Sequence, residues 1–99
     1  MKKDGRCFVY ILASAKHGTL YVGMSCDLLF RIQQHRDGRV AGFTKTYGVK
    51  LLVYVEECAD PPSAYLRERQ IKKWKRDWKI ELVESVNPNW VDLFPTLQL

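Results

Sequence analysis

Five polar side chains in this sequence are of kinds that can act on a negatively charged ligand. They are Tyr10, Tyr21, Arg31, His35 and Glu68, in the stretches FVYILA, LYVGMSCDLLFRIQQH and AYLRERQIKKW. A guanidinium presents a planar fork that suits phosphate, and an imidazole can donate to the same group or relay a proton. A phenol becomes a useful base when a nearby cation lowers its pKa. These residue types predict an anion site, provided that the fold brings the three stretches together.

Four of these residues also have a purely structural interpretation. Tyr10 and Tyr21 are of the type that ordinarily fills the face of a β-sheet. Arg31 and His35 recur with Asp27 at intervals of four residues, which is the spacing of a solvated helix face. The residue types alone therefore leave both interpretations open.

Glu68 has the most unusual surroundings of the five. It lies four residues after Ala64 and three before Ile71, which places it at the inward-leaning side of a helix. A carboxylate at the edge of an apolar face needs a partner. An arginine such as Arg31 would make an ordinary ion pair. A divalent cation is the alternative, because Mg²⁺ accepts one carboxylate and completes its coordination with water and phosphate oxygens.

The run KKWKRDWK (72–79) combines cations with two tryptophans. One interpretation is a solvated helix face with its long side chains lying along the surface. The other is a track for a nucleic-acid backbone, with Trp74 and Trp78 in the core or, if an indole is exposed, stacked on bases. We favour core tryptophans. The predicted backbone contacts are Lys72, Lys73, Lys75 and Arg76.

The first half of the chain predicts a hairpin followed by a helix. Residues 8–13 and 20–24 read as two strands, joined by a turn in which Gly18 can adopt positive φ. Ser25 or Asp27 can cap the next helix, which should end at Gly38. Leu28 and Ile32 form the inward stripe of that helix, and residues 39–47 read as a loop.

The second half predicts a third strand and a helical end. The strand covers residues 49–56, and Asp60 followed by two prolines is a strong helix start. Residues 63–85 contain neither Gly nor Pro, so they form one long helix or two helices that meet near Asp77. Trp90, Leu93 and Phe94 of the tail should pack back on the body. The order β-β-α-β-α-α predicts an α+β fold with helices against a sheet.

Composition adds limits. The 99 residues predict a single domain spanning 1–99, and 16 Lys and Arg against 11 Asp and Glu give a net charge of +5, which favours a polyanionic partner. Cys7, Cys26 and Cys58 are odd in number and lack CxxC spacing, so we expect neither a disulfide nor zinc, but reduced thiols in a cytoplasmic protein. No segment reads as a signal peptide or a membrane span.

Taken together, the motifs closely resemble the GIY-YIG nuclease superfamily, above all its small single-domain members. The resemblance runs from residue 6 to about 94 and depends on the combined spacing. Its motif residues are Phe8-Val9-Tyr10, Tyr21-Val22-Gly23, Arg31, His35, Glu68 and Asn87-Pro88. The first motif has Phe8 and Val9 where the family has glycine and isoleucine, and the second has Val22 for isoleucine. Both tyrosines and the glycine remain, so the departures concern strand packing.

The resemblance implies a three-stranded antiparallel sheet flanked by helices and a phosphodiester hydrolase that uses one Mg²⁺ or Mn²⁺ ion. It implies that Glu68 binds the metal and that Tyr21 is the base for the attacking water, with Tyr10 orienting the water or the phosphate. It also implies that Arg31 stabilises the transition state and that His35 assists. Asn87 matches a late polar position of the motif, and we count it among the predicted nucleic-acid contacts.

Three functions remain open at this stage. The first is a metal-dependent endonuclease that acts on DNA, in repair or recombination, with RNA as another possible substrate and a protein partner as a source of specificity. The second is a nucleic-acid-binding module that does not cleave. The third is a protein-interaction adaptor, against which the charge of +5 argues only mildly. Cleavage that needs magnesium and stops in EDTA would separate the first from the other two.

Overall fold

A computed structural model describes residues 6–39 and 42–97. Its architecture confirms the predicted α+β fold, a three-stranded antiparallel sheet with helices against it. The elements are β1 (Cys7–Ala13), β2 (Leu20–Ser25), α1 (Leu28–Arg36), α2 (Phe43–Tyr47), β3 (Leu51–Cys58), α3 (Pro61–Lys72), α4 (Arg76–Val86) and a short 3₁₀ helix (Phe94–Thr96).

Strand β1 lies in the centre of the sheet and is buried along its whole length, because β2 and β3 pair with its two edges in the order β2-β1-β3. Its alternating side chains enter two separate cores. Val9 and Ile11 pack with Ile71 on the side of α3 and α4. Tyr10, in contrast, shares its cluster with Ile32 of α1. The sheet therefore separates α1 from α3 and α4.

The hairpin turn between β1 and β2 forms as predicted, but Gly18 is not the residue with positive φ. His17, not Gly18, adopts positive φ, at 58°. A Cβ at position 18 would lie 2.3 Å from the hydroxyl oxygen of Ser14 and 2.9 Å from the amide nitrogen of Ala15. Position 18 therefore needs glycine for space.

The start of α3 and the end of α1 follow local signals, but the predicted cap of α1 does not form. Asp27 stands at the N-cap position without a side-chain capping hydrogen bond, and the Ser25 hydroxyl accepts from the Asp27 amide at 2.9 Å. The Asp60 carboxylate accepts a hydrogen bond from the Ser63 amide at 2.9 Å, which caps α3 at the predicted start. Gly38, with φ of 72°, follows α1 as expected. The segment 63–85 forms two helices, and they separate at residues 73–75, before Asp77. Asp77 instead lies in the first turn of α4, where a negative charge complements the helix dipole.

Three further structural expectations were wrong. Residues 43–47 form a short helix inside the segment interpreted as a loop. Cys7 and Cys26 form a disulfide, because the register that pairs Phe8 with Ser25 leaves the two cysteines opposite each other. Cys58 remains a free thiol. Trp78 is not a core residue, since 52% of its surface is exposed.

Of the helices that the structure describes, none combines the length and hydrophobicity needed to cross a bilayer.

Candidate active site

Tyr10 and Gly23 pair across β1 and β2 and form the base of the site. A Cβ on residue 23 would lie 2.5 Å from the phenol oxygen of Tyr10 and 2.6 Å from its Cζ. The Tyr10 ring therefore occupies the space that any other residue at position 23 would need. Packing against Tyr10 therefore requires a glycine at position 23, two residues after Tyr21.

Tyr21 and His35 complete an aromatic cluster around the Tyr10 ring. The ring centroids of Tyr10 and Tyr21 are 6.4 Å apart, and those of Tyr21 and His35 are 5.3 Å apart. The phenol of Tyr10 shares a hydrogen bond of 3.0 Å with Nε2 of His35. The cluster spans the central strand β1, which carries Tyr10, and the edge strand β2, which carries Tyr21.

The electrostatics of this cluster favour neutral groups. Burial, and then the neighbouring Tyr21, raises the pKa of Tyr10 to about 12, although Arg31 opposes the shift by its hydrogen bond to that phenol and its charge. Burial, and then the charge of Arg31, lowers the pKa of His35 to about 4. At neutral pH the site therefore holds a protonated phenol and an uncharged imidazole beside the Arg31 guanidinium.

Glu68 approaches the cluster from α3. Its side chain is 14% exposed, and its carboxylate pairs with the Lys72 ammonium at 3.1 Å, so the ion pair is made within α3 and not with Arg31. The same ammonium lies 6.0 Å from the centroid of the Tyr21 ring. The charge of Glu68 also acts on the Tyr10 phenol. The five residues predicted from the sequence therefore meet at the β2 edge, between α1 and α3.

A divalent metal would find one carboxylate here. In the described part of the chain, no three His, Cys, Asp or Glu side chains lie close enough to enclose an ion. Mg²⁺ does not require such an enclosure, because it is commonly held by one or two carboxylates, several waters and substrate phosphates. The half-buried Glu68 is compatible with a site of this open kind.

The predicted nucleic-acid contacts are distributed over different surroundings. Lys72 and Lys73 line a groove on α3 beside Glu68, and Lys75 is exposed at the start of α4. Arg76 turns away from them, since its guanidinium donates to the backbone carbonyls of His17 and Gly18 in the hairpin turn. Arg76 thus holds that turn against α4.

Asn87 is not brought to this surface. It is 5% exposed, and its amide nitrogen donates to the carbonyls of Val53 and Val91 at 3.0 and 2.9 Å. Its amide oxygen accepts from the Val91 amide at 3.0 Å. Both the amide nitrogen and the amide oxygen of Asn87 are thus bonded to backbone inside the protein. Contact with a nucleic acid would require these bonds to rearrange.

The α3 groove also contains two residues that sequence analysis did not single out, Tyr65 and Arg69. With Glu68, Lys72 and Lys73 they line a space of about 370 Å³. The signal was available in the sequence, because residues three and four positions apart share a helix face. Tyr65 precedes Glu68 by three residues, and Arg69 precedes Lys72 and Lys73 by three and four.

Comparison with known proteins shows the family of this chain. The family model described as the GIY-YIG catalytic domain matches residues 6–81. A UPF0213 protein of Pseudomonas aeruginosa is 39% identical over 82 residues, which cover 83% of this chain and 79% of the relative. A UPF0213 protein of Staphylococcus haemolyticus is 35% identical over 78 residues, which cover 79% and 94%.

A solved structure supports the same relationship. The solution NMR structure of a UPF0213 protein from Bacillus halodurans superimposes with a TM-score of 0.55 at 29% sequence identity, covering 88% of this chain and 92% of the other. Family model, sequence relatives and structural neighbour thus point to one group of small proteins. The chain belongs to the GIY-YIG family and is similar to members of that family named UPF0213.

Proposed function

We propose that this protein is a divalent-metal-dependent endonuclease that hydrolyses phosphodiester bonds in DNA. The observation that carries the proposal is the meeting of two phenols, a guanidinium, an imidazole and a carboxylate at the β2 edge. The residues are Tyr10, Tyr21, Arg31, His35 and Glu68. Membership of a nuclease family supports the reaction type. Cleaving a phosphodiester needs an activated water and positive charge on the non-bridging oxygens, and these side chains have the required chemistry.

Glu68 is the proposed ligand of Mg²⁺ or Mn²⁺. When bound, the ion supplies Lewis-acid stabilisation to the phosphate oxygens. The carboxylate has to exchange its ion pair with Lys72 for the metal, and the 3.1 Å Glu68–Lys72 pair is exposed enough to separate, since Lys72 is 48% exposed. Lys72 then remains near the Tyr21 ring as a cation of the site.

Tyr21 is the proposed acceptor of the proton from the attacking water. Tyr10 is poorly suited to that task, because burial raises its pKa to about 12 and keeps its phenol protonated at neutral pH. The Lys72 ammonium lies 6.0 Å from the centroid of the Tyr21 ring, so a cation of the site stands beside this phenol. Tyr10 is the proposed positioning residue for the water or the phosphate, and because it is 1% exposed, direct contact would require the surrounding side chains to move.

Arg31 is the proposed partner of the scissile phosphate. Its planar fork can donate two hydrogen bonds to the oxygens on which negative charge grows in the transition state. His35 stays uncharged, because its pKa is lowered to about 4, and its Nε2 shares the 3.0 Å hydrogen bond that fixes the Tyr10 phenol. We thus assign His35 to positioning of Tyr10.

The wider parts of the proposal rest on composition and family resemblance alone. They are a role in repair or recombination, a single domain over 1–99 and a protein partner that supplies specificity. The proposed cytoplasmic location loses the support of reduced thiols, because Cys7 and Cys26 form a disulfide. The net charge of +5 supports a nucleic-acid substrate, and DNA and RNA are to be compared directly in the cleavage assay.

Replacement of Glu68 by Gln tests the function. The amide keeps the shape of the side chain but removes the charge that holds a cation, so we expect cleavage of DNA in Mg²⁺ to fall about a hundredfold or more. The measurement is the initial rate on labelled single-stranded, nicked and branched DNA, with Mg²⁺ or with EDTA. Circular dichroism verifies that the variant is folded.

Glu81→Gln is the matched control, because Glu81 is exposed on α4, outside the site. It should cleave at the rate of the unmodified protein. Cleavage that persists in EDTA, or a Glu68→Gln protein that cuts as fast as the control, would show that the metal assignment is wrong.

A further inference from the structure

The groove on α3 adjoins the proposed reaction centre and has its own chemistry. It is an open groove of about 370 Å³ that shares Glu68 with the site, while its other lining residues are Tyr65, Arg69, Lys72 and Lys73. Three cations therefore face one carboxylate, and that carboxylate is already paired with Lys72. The remaining charge suits an anion lying next to the scissile position.

Tyr65 gives this groove an aromatic wall. Half of its surface is exposed, which leaves the ring accessible to a ligand. The Arg69 guanidinium donates to the Tyr65 hydroxyl at 2.8 Å, and its carbon lies 5.4 Å from the ring centroid. The two side chains stabilise each other, so less conformational entropy has to be lost when a ligand binds.

We propose that this groove binds the nucleotide next to the scissile phosphate, with its base stacked on Tyr65 and its phosphate held by Arg69 and Lys73. This inference rests on the proposed function for its orientation relative to Glu68. A ring can stack on a base face only when that face is not covered by a neighbouring base, so the bound nucleotide is unstacked at this position. The occupant is a single nucleic-acid strand.

The exposed Trp78 is a weaker platform for the same base. It borders a second space of about 350 Å³, whose other lining residues are Trp74, Glu81, Leu82 and Ser85. That lining contains a carboxylate and no cation, so it would repel a phosphate attached to a base stacked there. The combination of aromatic ring and cations is found on α3.

Binding of a fluorescein-labelled oligothymidine, measured by anisotropy in EDTA at low salt, tests the inference without any cleavage. Tyr65→Ala should raise the Kd about tenfold, the size of one lost stacking contact. Tyr65→Phe should stay within about twofold, because the stacking face is kept. A blunt duplex should bind Tyr65→Ala and the unmodified protein equally, and urea unfolding verifies that each variant is folded.

Arg69→Gln tests the phosphate contact separately. For a single strand, the slope of log Kd against log salt should decrease by about 0.7 for one lost contact. Arg39→Gln is the matched control, because Arg39 is an exposed arginine beyond the end of α1. Its salt slope should equal that of the unmodified protein.

The outcomes separate this inference from the proposed function. If the unmodified protein cleaves DNA but Tyr65→Ala binds oligothymidine as tightly as it does, the subsite is wrong and the nuclease stands. If Tyr65→Ala loses affinity while the unmodified protein never cleaves in Mg²⁺, the subsite stands and the nuclease is wrong. If Trp78→Ala loses affinity and Tyr65→Ala does not, the strand follows α4 and the inference is overturned.

Discussion

At the scale of single residues, the site depends on one missing side chain. The second motif retains a glycine two residues after its tyrosine, and the reason is space, not a special backbone conformation, since Gly23 is not among the described residues with positive φ. The Tyr10 ring fills the position that a Cβ would take. Gly23 therefore determines where the Tyr10 phenol lies, and through it the contact with His35.

Gly23→Ala should consequently destabilise the protein through Tyr10. The added methyl would lie 2.6 Å or less from the phenol ring. The side-chain and backbone shifts that such overpacking forces typically lower the stability by about 1–3 kcal/mol. The measurement is the free energy of unfolding in urea, for Gly23→Ala alone and in a Tyr10→Leu background. In the second background the ring is absent, so the cost should largely disappear. Equal costs in both backgrounds would mean that the conflict lies elsewhere.

His35 makes the stability depend on pH. The unfolded chain takes up a proton near the ordinary histidine pKa of about 6.5, whereas the folded protein resists until about 4. Between these values the unfolded state binds more protons, so stability is complete above about pH 6.5 and is lost as the pH falls towards 4. From pH 7 to 5 we expect a loss of about 2 kcal/mol in urea unfolding.

His35→Asn is the comparison for this pH dependence. His17 and every carboxylate are common to both proteins, so their contributions cancel in the difference. The variant should be less stable than the unmodified protein at pH 7, because it lacks the hydrogen bond between His35 and Tyr10. Between pH 7 and 5, its stability should fall by less than that of the unmodified protein. Parallel stability curves for the two proteins would contradict a neutral, buried His35.

At the scale of elements, the sequence predicts best what local chemistry decides. The start of α3 was predictable because Asp60 and the prolines after it determine the first turn without help from the rest of the chain. The end of α1 at Gly38 was predictable for the same reason. The third strand, by contrast, begins at Leu51 and not at residue 49, because strand ends depend on pairing with β1.

The wrong predictions at this scale share one physical cause. Contacts between elements depend on the complete fold, and local sequence patterns do not determine them. The Cys7–Cys26 disulfide follows from the hairpin register, and no local spacing motif marks it. The spacing of four residues would place Trp78 on the same helix face as Trp74, but the chain divides into α3 and α4 at this point. Because α4 does not continue the helical periodicity of α3, Trp78 does not face the core, and its side chain is exposed.

At the scale of the whole molecule, the sequence predicts which polar residues come near one another, but it does not predict their bonding partners. Tyr10 and His35 are 25 residues apart in sequence, and only the complete fold shows that they share a hydrogen bond. An arginine such as Arg31 is one of the two partners that the sequence suggests for Glu68, whereas the structure pairs Glu68 with Lys72. Motif order thus identifies which residues meet, and packing decides which atoms touch.

Asn87 shows how the same principle applies to the tail. Its amide joins β3, at the Val53 carbonyl, to the segment after α4, at Val91. Asn87→Ala would leave the Val91 amide and two carbonyls without this partner, so we expect a loss of roughly 2–4 kcal/mol in urea unfolding. Asn89→Ala is the control, because Asn89 is exposed two residues further along.

The affinity of the folded Asn87→Ala protein for oligothymidine distinguishes its two possible roles. A buried amide that only fastens the tail should leave the Kd unchanged at temperatures where the variant is fully folded, because the α3 groove is lined by other residues. A variant with normal stability and weakened binding would restore Asn87 to the nucleic-acid contacts implied by its motif position. Since the amide is 5% exposed and bonded to backbone on both sides, we expect the first result, with stability lost and affinity kept.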